Sequence, residues 1–133
     1  MHWAAQYITC GWKSGATGPD YYDCWSFFRH VQKEHFGRDV PEIGINAEDL
    51  RELTAAFKVG VPEVTDKHGW EEVPVPHNGD AVLLGNGPVG QHVGIVLMID
   101  GTVGILHCAR KGGVLFSRVD SLPYKRVRFF RHA

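Results

Sequence analysis

Apolar and polar positions follow two different periods along this chain. In residues 24–36, Phe27, Phe28, Val31 and His35 recur at helical spacing, with Cys24 on the same stripe. Asp23 can cap the start of that segment and Gly37 suits its stop, so the pattern predicts a helix over 24–36. A second helix is expected over 47–58, with Asn46 as its cap and Leu50, Leu53, Ala56 and Phe57 as its apolar face. After about residue 70 the runs become short and β-rich. Residues 81–84, 93–99, 102–107, 114–117 and 127–130 read as strands, separated by Gly85-Asn86-Gly87-Pro88, Asp100-Gly101 and Gly112-Gly113. Residues 11–22 and 60–78 read as loops, the second long enough to wall a cleft. Helices first and strands later, with short connections, predict an α+β fold with N-terminal helices packed on an antiparallel sheet.

One turn fixes more than its own shape. Asp100-Gly101 between two β-rich runs is a two-residue hairpin signal. With that turn, Ile99 faces Thr102, His107 faces Gly94, and His92 faces Ala109. Facing residues share a sheet face, as do residues two apart on one strand. His92 and His107 are therefore diagonal neighbours on one face, about 7–8 Å apart along the backbone and within reach of a ring-to-ring hydrogen bond. Gly94 leaves room for the His107 ring, and Cys108 faces the other way.

Length and composition narrow the class. The 133 residues suit one domain spanning 1–133, large enough to bury its own core. Lys+Arg 14 against Asp+Glu 15 gives a formal net charge of −1, without the basic excess of a nucleic-acid binder. No stretch approaches the roughly 20 apolar residues of a membrane helix, so no membrane insertion is expected. The N-terminus lacks a basic segment followed by a long apolar one, so a soluble protein made in the cytoplasm without a signal peptide is expected. Three Cys is an odd number, which excludes a complete disulfide framework within the chain. A Cys10–Cys108 pair stays open, although cytoplasmic synthesis disfavours it.

Cys24 opens the first expected helix, where free N–H groups and the helix dipole favour negative charge and are expected to lower the thiol pKa. The position equally suits a small buried residue opening a core helix. A nucleophilic thiol needs a base, and the base needs a third group to orient it. Cys24, His92 and His107 can fill those roles, although two unrelated histidines on a sheet would look the same. The three lack the spacing of known zinc motifs, so no metal and no cofactor is expected. The remaining histidines, at 2, 30, 35, 68, 77 and 132, are expected to be structural or solvated.

Four segments, Asp23-Cys24-Trp25-Ser26-Phe27-Phe28, Gly79-Asp80-Ala81-Val82-Leu83-Leu84, His92-Val93-Gly94-Ile95-Val96 and Leu106-His107-Cys108-Ala109, together resemble the NlpC/P60 cysteine peptidases. The resemblance covers roughly residues 7–130. It implies a papain-like NlpC/P60 fold and hydrolysis of amide bonds in peptidoglycan stem peptides, typically beside D-glutamate and diaminopimelate. Carried over by position, Cys24 is the nucleophile, His92 the general base and acid, and His107 the orienting residue. The Cys24 backbone N–H would help stabilise the oxyanion. The resemblance also points to Trp12, Tyr22, Asp23 and Trp25 as substrate-binding residues. Trp12 stands where the family often has Tyr, and Asp80 is expected to fix a turn. A Trp after the Cys is more like members from phage tails of the lambda type. That likeness implies a tail-tip component with phage tail-tip proteins as partners, carried by the virion to act in the periplasm or at the cell wall. A non-catalytic tail scaffold and a papain-like amidase or acyltransferase with another substrate are the alternatives.

Overall fold

The computed structural model describes residues 2–44 and 49–133. A 3-10 turn, Trp3–Tyr7, leads to two short strands, β1 (Gly11–Trp12) and β2 (Tyr21–Tyr22), which pair in parallel. Helices α1 (Cys24–Phe36) and α2 (Leu50–Lys67) follow. The rest is strand: β3 (Trp70–Val73), β4 (Ala81–Gly85), β5 (His92–Ile99), β6 (Thr102–Ala109), β7 (Gly113–Ser117) and β8 (Arg126–His132). These six form one antiparallel sheet in the order β3-β8-β4-β5-β6-β7. The α+β architecture, with two helices packed on an antiparallel sheet, agrees with the reading of the sequence.

Helix α1 occupies the predicted residues because both of its ends are locally encoded. The Asp23 carboxylate accepts the Ser26 N–H at 2.8 Å, and the Ser26 hydroxyl receives the Asp23 N–H at 3.1 Å, a reciprocal cap. Gly37 takes the left-handed conformation, φ 66°, and its N–H closes the last turn. The face carrying Cys24, Trp25, Phe27, Phe28 and Val31 is buried. It packs with Val93, Ile95, Leu97, Leu106 and Cys108 in one apolar cluster.

Helix α2 differs from expectation. It starts at Leu50 with Asp49 as its cap and runs to Lys67, through Pro62. The expected cap, Asn46, lies outside the described residues. Leu53, Phe57 and Val64 form its buried stripe while Pro62 faces solvent. Packing of that stripe outweighs the one backbone hydrogen bond that Pro62 cannot donate. Residues 60–78 are thus not one long loop, since they hold the end of α2 and all of β3.

The Asp100-Gly101 hairpin forms as predicted. Both residues have positive φ, 50° and 78°, and the pairs run from Ile99↔Thr102 to Ile95↔Leu106. The other sheet face, through Val82, Leu84, Val96 and Ile105, is covered by the segment containing Val119, Leu122 and Tyr124. Asp80 does fix a turn, accepting the His77 N–H at 2.7 Å and pairing with Arg131 at 2.8 Å.

Candidate active site

The site lies where β5 and β6 part. Their registered pairs stop at Ile95↔Leu106, whereas β5 continues to His92 against β4 and β6 continues to Ala109 against β7. The N-terminus of α1 meets this opening. The Val93 and Trp25 backbone N–H groups lie near the Cys24 thiol and favour its charged form. Cys24 belongs to the helix side of the sheet, and His92, in step with Val96 along β5, belongs to the other. The gap lets both reach one pocket of about 140 Å³, which Trp12, Leu53, Arg110 and Tyr124 also line. Larger hollows flank residues 39–44 beside α1 and α2, and none of the cysteines lines them.

The two histidines meet as the hairpin register requires. His92 Nε2 and His107 Nδ1 are 2.8 Å apart, and His107 Nε2 lies 2.9 Å from Ser117 Oγ. Both rings are buried. Gly94 makes room for this: a Cβ there would stand 3.2 Å from His107 Cβ and 3.0 Å from the Leu106 carbonyl oxygen. The ring of Tyr124 stacks on His92, with centroids 5.9 Å apart and planes 18° apart.

Burial sets the protonation states. It pushes the Cys24 thiol up to about 12, with the Asp23 carboxylate adding to the effect and the Val93 and Trp25 N–H groups opposing it. This reverses the expected lowering: in the closed pocket, loss of water outweighs the helix terminus. Burial lowers His92 to about 3, helped by His107, and lowers His107 to about 4. The unliganded site therefore holds a neutral thiol beside a neutral imidazole.

The remaining expected residues separate. Trp12 lines the pocket, with the Arg110 guanidinium 5.6 Å from its ring centroid. Tyr22, Asp23 and Trp25 do not line it. Tyr22 is 3% exposed and packs edge-on against Phe27. Trp25 is 5% exposed and donates its indole N–H to the Pro41 carbonyl at 2.9 Å. Asp23 spends its carboxylate on the cap and on the Gly15 N–H at 3.2 Å. These three hold the fold around Cys24, and Asp23 and Trp25 border a separate hollow of about 170 Å³ with Ser26 and Arg29. Cys108 faces the helix side, its thiol 3.3 Å from the Tyr22 carbonyl, and Cys10 is likewise a free thiol. His30 and His35 share the Tyr7 hydroxyl at 2.9 and 2.7 Å, which ties the N-terminal turn to α1.

Sequence reasoning missed Ser117, Tyr124 and Arg110. Ser117 follows from the β6–β7 register, in which Ile105 faces Ser117 and His107 faces Leu115, so its side chain shares the His107 face. Tyr124 and Arg110 stand outside any periodic segment and left no signal.

No family model matches the chain, and no curated protein matches it in sequence. Solved structures do match its fold. NlpC1 from Trichomonas vaginalis superposes with a TM-score of 0.66 at 19% identity, over 97% of this chain and 41% of that one. The chain thus spans about two-fifths of that protein's length. The NlpC/P60 domain of the peptidoglycan hydrolase SagA gives 0.62 at 22% identity, over 98% of this chain and 92% of that one. An N-acetylmuramoyl-L-alanine amidase from Bacteroides uniformis gives 0.53 at 10% identity, covering 98% and 95%. The fold is that of the NlpC/P60 domains.

Proposed function

We propose that the protein is a thiol hydrolase that cleaves amide bonds in peptidoglycan stem peptides. The observation that carries this reading is a cysteine at a helix N-terminus in one pocket with a histidine whose far nitrogen is held by a second histidine. The likeness in fold to peptidoglycan-hydrolase domains supports the substrate class.

Cys24 is the nucleophile and His92 the base. As the sulfur attacks the carbonyl carbon, the thiol proton passes to the free ring nitrogen of His92, Nδ1. The developing oxyanion meets the Cys24 backbone N–H, which has no acceptor within its own helix in the first turn. His92 then returns the proton to the leaving nitrogen as the C–N bond breaks, leaving a thioester. Water, deprotonated by His92, attacks that thioester and frees the new carboxylate and the thiol. His107 orients His92 through the 2.8 Å bond and stabilises its imidazolium. Trp12 forms part of the substrate wall. No step calls for a cofactor.

A place at a phage or prophage tail tip, with the virion carrying the enzyme to the wall, is the finer proposal. It rests on the Asp23-Cys24-Trp25-Ser26 likeness to tail-associated members. Purified protein incubated with defined muropeptides tests the activity. Cleavage products detected by mass spectrometry should fall about 10⁴-fold in Cys24→Ala, with an unchanged circular dichroism spectrum. Equal cleavage by that variant would falsify the reading.

A further inference from the structure

The N-terminal turn is fastened by histidines, and each fastening uses a ring nitrogen that acid changes. The Ala4 N–H donates to His2 Nδ1 at 3.0 Å, so a ring lone pair caps the Trp3–Tyr7 turn. Tyr7 is buried, and its hydroxyl lies 2.9 Å from His30 Nε2 and 2.7 Å from His35 Nε2, both on α1. The His35 ring is also stacked on Trp3, with centroids 3.7 Å apart and planes 8° apart. Among the described residues, the hydrogen bonds that tie residues 2–9 to α1 are the two at the Tyr7 hydroxyl.

A hydroxyl carries one proton to give and lone pairs to accept with. Between two neutral rings, Tyr7 donates to one Nε2 and accepts an N–H from the other. Once both rings are protonated, both nitrogens can only donate. The buried Tyr7 proton then loses its acceptor, and two cations flank one oxygen. Protonation of His2 at Nδ1 likewise replaces the acceptor of the Ala4 N–H with a second donor. Burial lowers the His35 pKa; the Glu34 carboxylate opposes this, and His30 and His2 add to it. The Trp3 face also favours a cation. On the far side, His30 shares a hollow with Arg29, Lys33, Asp39 and His68, where Asp39 pairs with Lys33 at 3.9 Å. Tyr22 and Cys10 stand near Tyr7 and are raised by burial, so they stay neutral in acid.

The chain is fixed again just beyond this turn. The Cys10 carbonyl accepts the Val114 N–H at 3.1 Å, and the Gly11 N–H donates to the Asp20 carbonyl at 2.9 Å. Opening of the turn can therefore stop before β1. We propose that residues 2–8 form a pH-sensitive strap, fastened on α1 at neutral pH by the Tyr7, His30 and His35 cluster and released in mild acid while the sheet stays closed. Release uncovers the side of α1 that Tyr7 and Trp3 cover edge-on at Phe27 and Phe36. The inference involves none of the pocket residues and does not depend on the hydrolase reading.

Nuclear magnetic resonance relaxation of the intact chain, without denaturant, tests it between about pH 7.5 and pH 5, the range in which histidine changes charge. Order parameters of residues 3–8 should fall from about 0.85 to below about 0.6, while those of β5 stay near 0.85. The midpoint of that fall should coincide with the titration of the His35 ring, followed through its Cε1 proton in the same samples. A His2→Asn, His30→Gln, His35→Gln variant keeps hydrogen-bonding groups that do not titrate, so its strap should stay ordered at both pH values. A strap that remains ordered when His30 and His35 are both protonated overturns the inference. So does a loss of order that survives in the triple variant, or one whose midpoint is unrelated to the His35 titration.

Discussion

A histidine can act as a base only through the ring nitrogen that carries no proton, and in this site Ser117 influences which one that is. When the Ser117 hydroxyl accepts from His107 Nε2–H, His107 Nδ1 is left as an acceptor for His92 Nε2–H. His92 Nδ1 is then free to take the thiol proton. If Ser117 donated instead, every proton in the chain would shift and His92 would present an N–H. Ser117→Ala should therefore lower kcat about 10-fold or more with little change in KM. Ser117→Thr, which keeps the hydroxyl, should restore most of it; steady-state kinetics on a muropeptide would show both. At this scale Cys24, His92 and His107 were legible because a helix start and a two-residue turn are local signals. Ser117 depends on the turn near Gly112, where the sequence leaves the loop length open, and Tyr124 lies in an irregular segment with no period to read.

At the scale of elements, the two ends of α1 control where Cys24 sits. The Asp23 carboxylate accepts both the Ser26 and Gly15 N–H groups, tying the helix start to the preceding loop. Asp23→Ala should destabilise the fold by about 1–2 kcal/mol, while Asp23→Asn, which keeps a capping oxygen, should lose less than half of that. Urea denaturation monitored by circular dichroism checks the order. Helix α2 shows the limit of local rules. Its continuation through Pro62 was hidden because Pro is a strong local breaker, yet the apolar stripe Leu53, Phe57, Val64 carries the helix past it. Strand β3 was hidden for a related reason. Glu71 and Glu72 give it little alternation, and pairing with β8 at Trp70↔His132 through Val73↔Phe129 makes it a strand.

For the whole molecule, burying two neutral histidines links stability to pH. In the unfolded chain both titrate near the ordinary value of about 6.5. In the fold, His92 lies near 3 and His107 near 4. The unfolded state therefore binds more protons across this interval. Their stabilising contribution is complete above about pH 6.5 and is lost as pH falls toward the folded values, by up to about 1.4 kcal/mol per pH unit for each ring. His35, lowered by burial beside Tyr7, acts in the same direction. The urea midpoint should drop steeply between pH 7 and pH 5, and His107→Gln should flatten that slope relative to the parent. A midpoint independent of pH over this range would contradict buried neutral rings.

The sequence by itself determined α1, the Asp100-Gly101 hairpin and the shared face of His92 and His107. Each of these follows from residues close together in the chain: a cap, a left-handed turn, a period of two. The tertiary structure decided what such signals cannot reach. Parting of β5 from β6 brings a thiol on one side of the sheet into one pocket with an imidazole on the other. Exclusion of water there raises the thiol and lowers the imidazoles, against the pull of the helix terminus. Arg110 and Tyr124 join that pocket from segments with no pattern of their own. Burial is a sum over groups distant in sequence, so the chemistry of Cys24 is set by neighbours that its own helix does not contain.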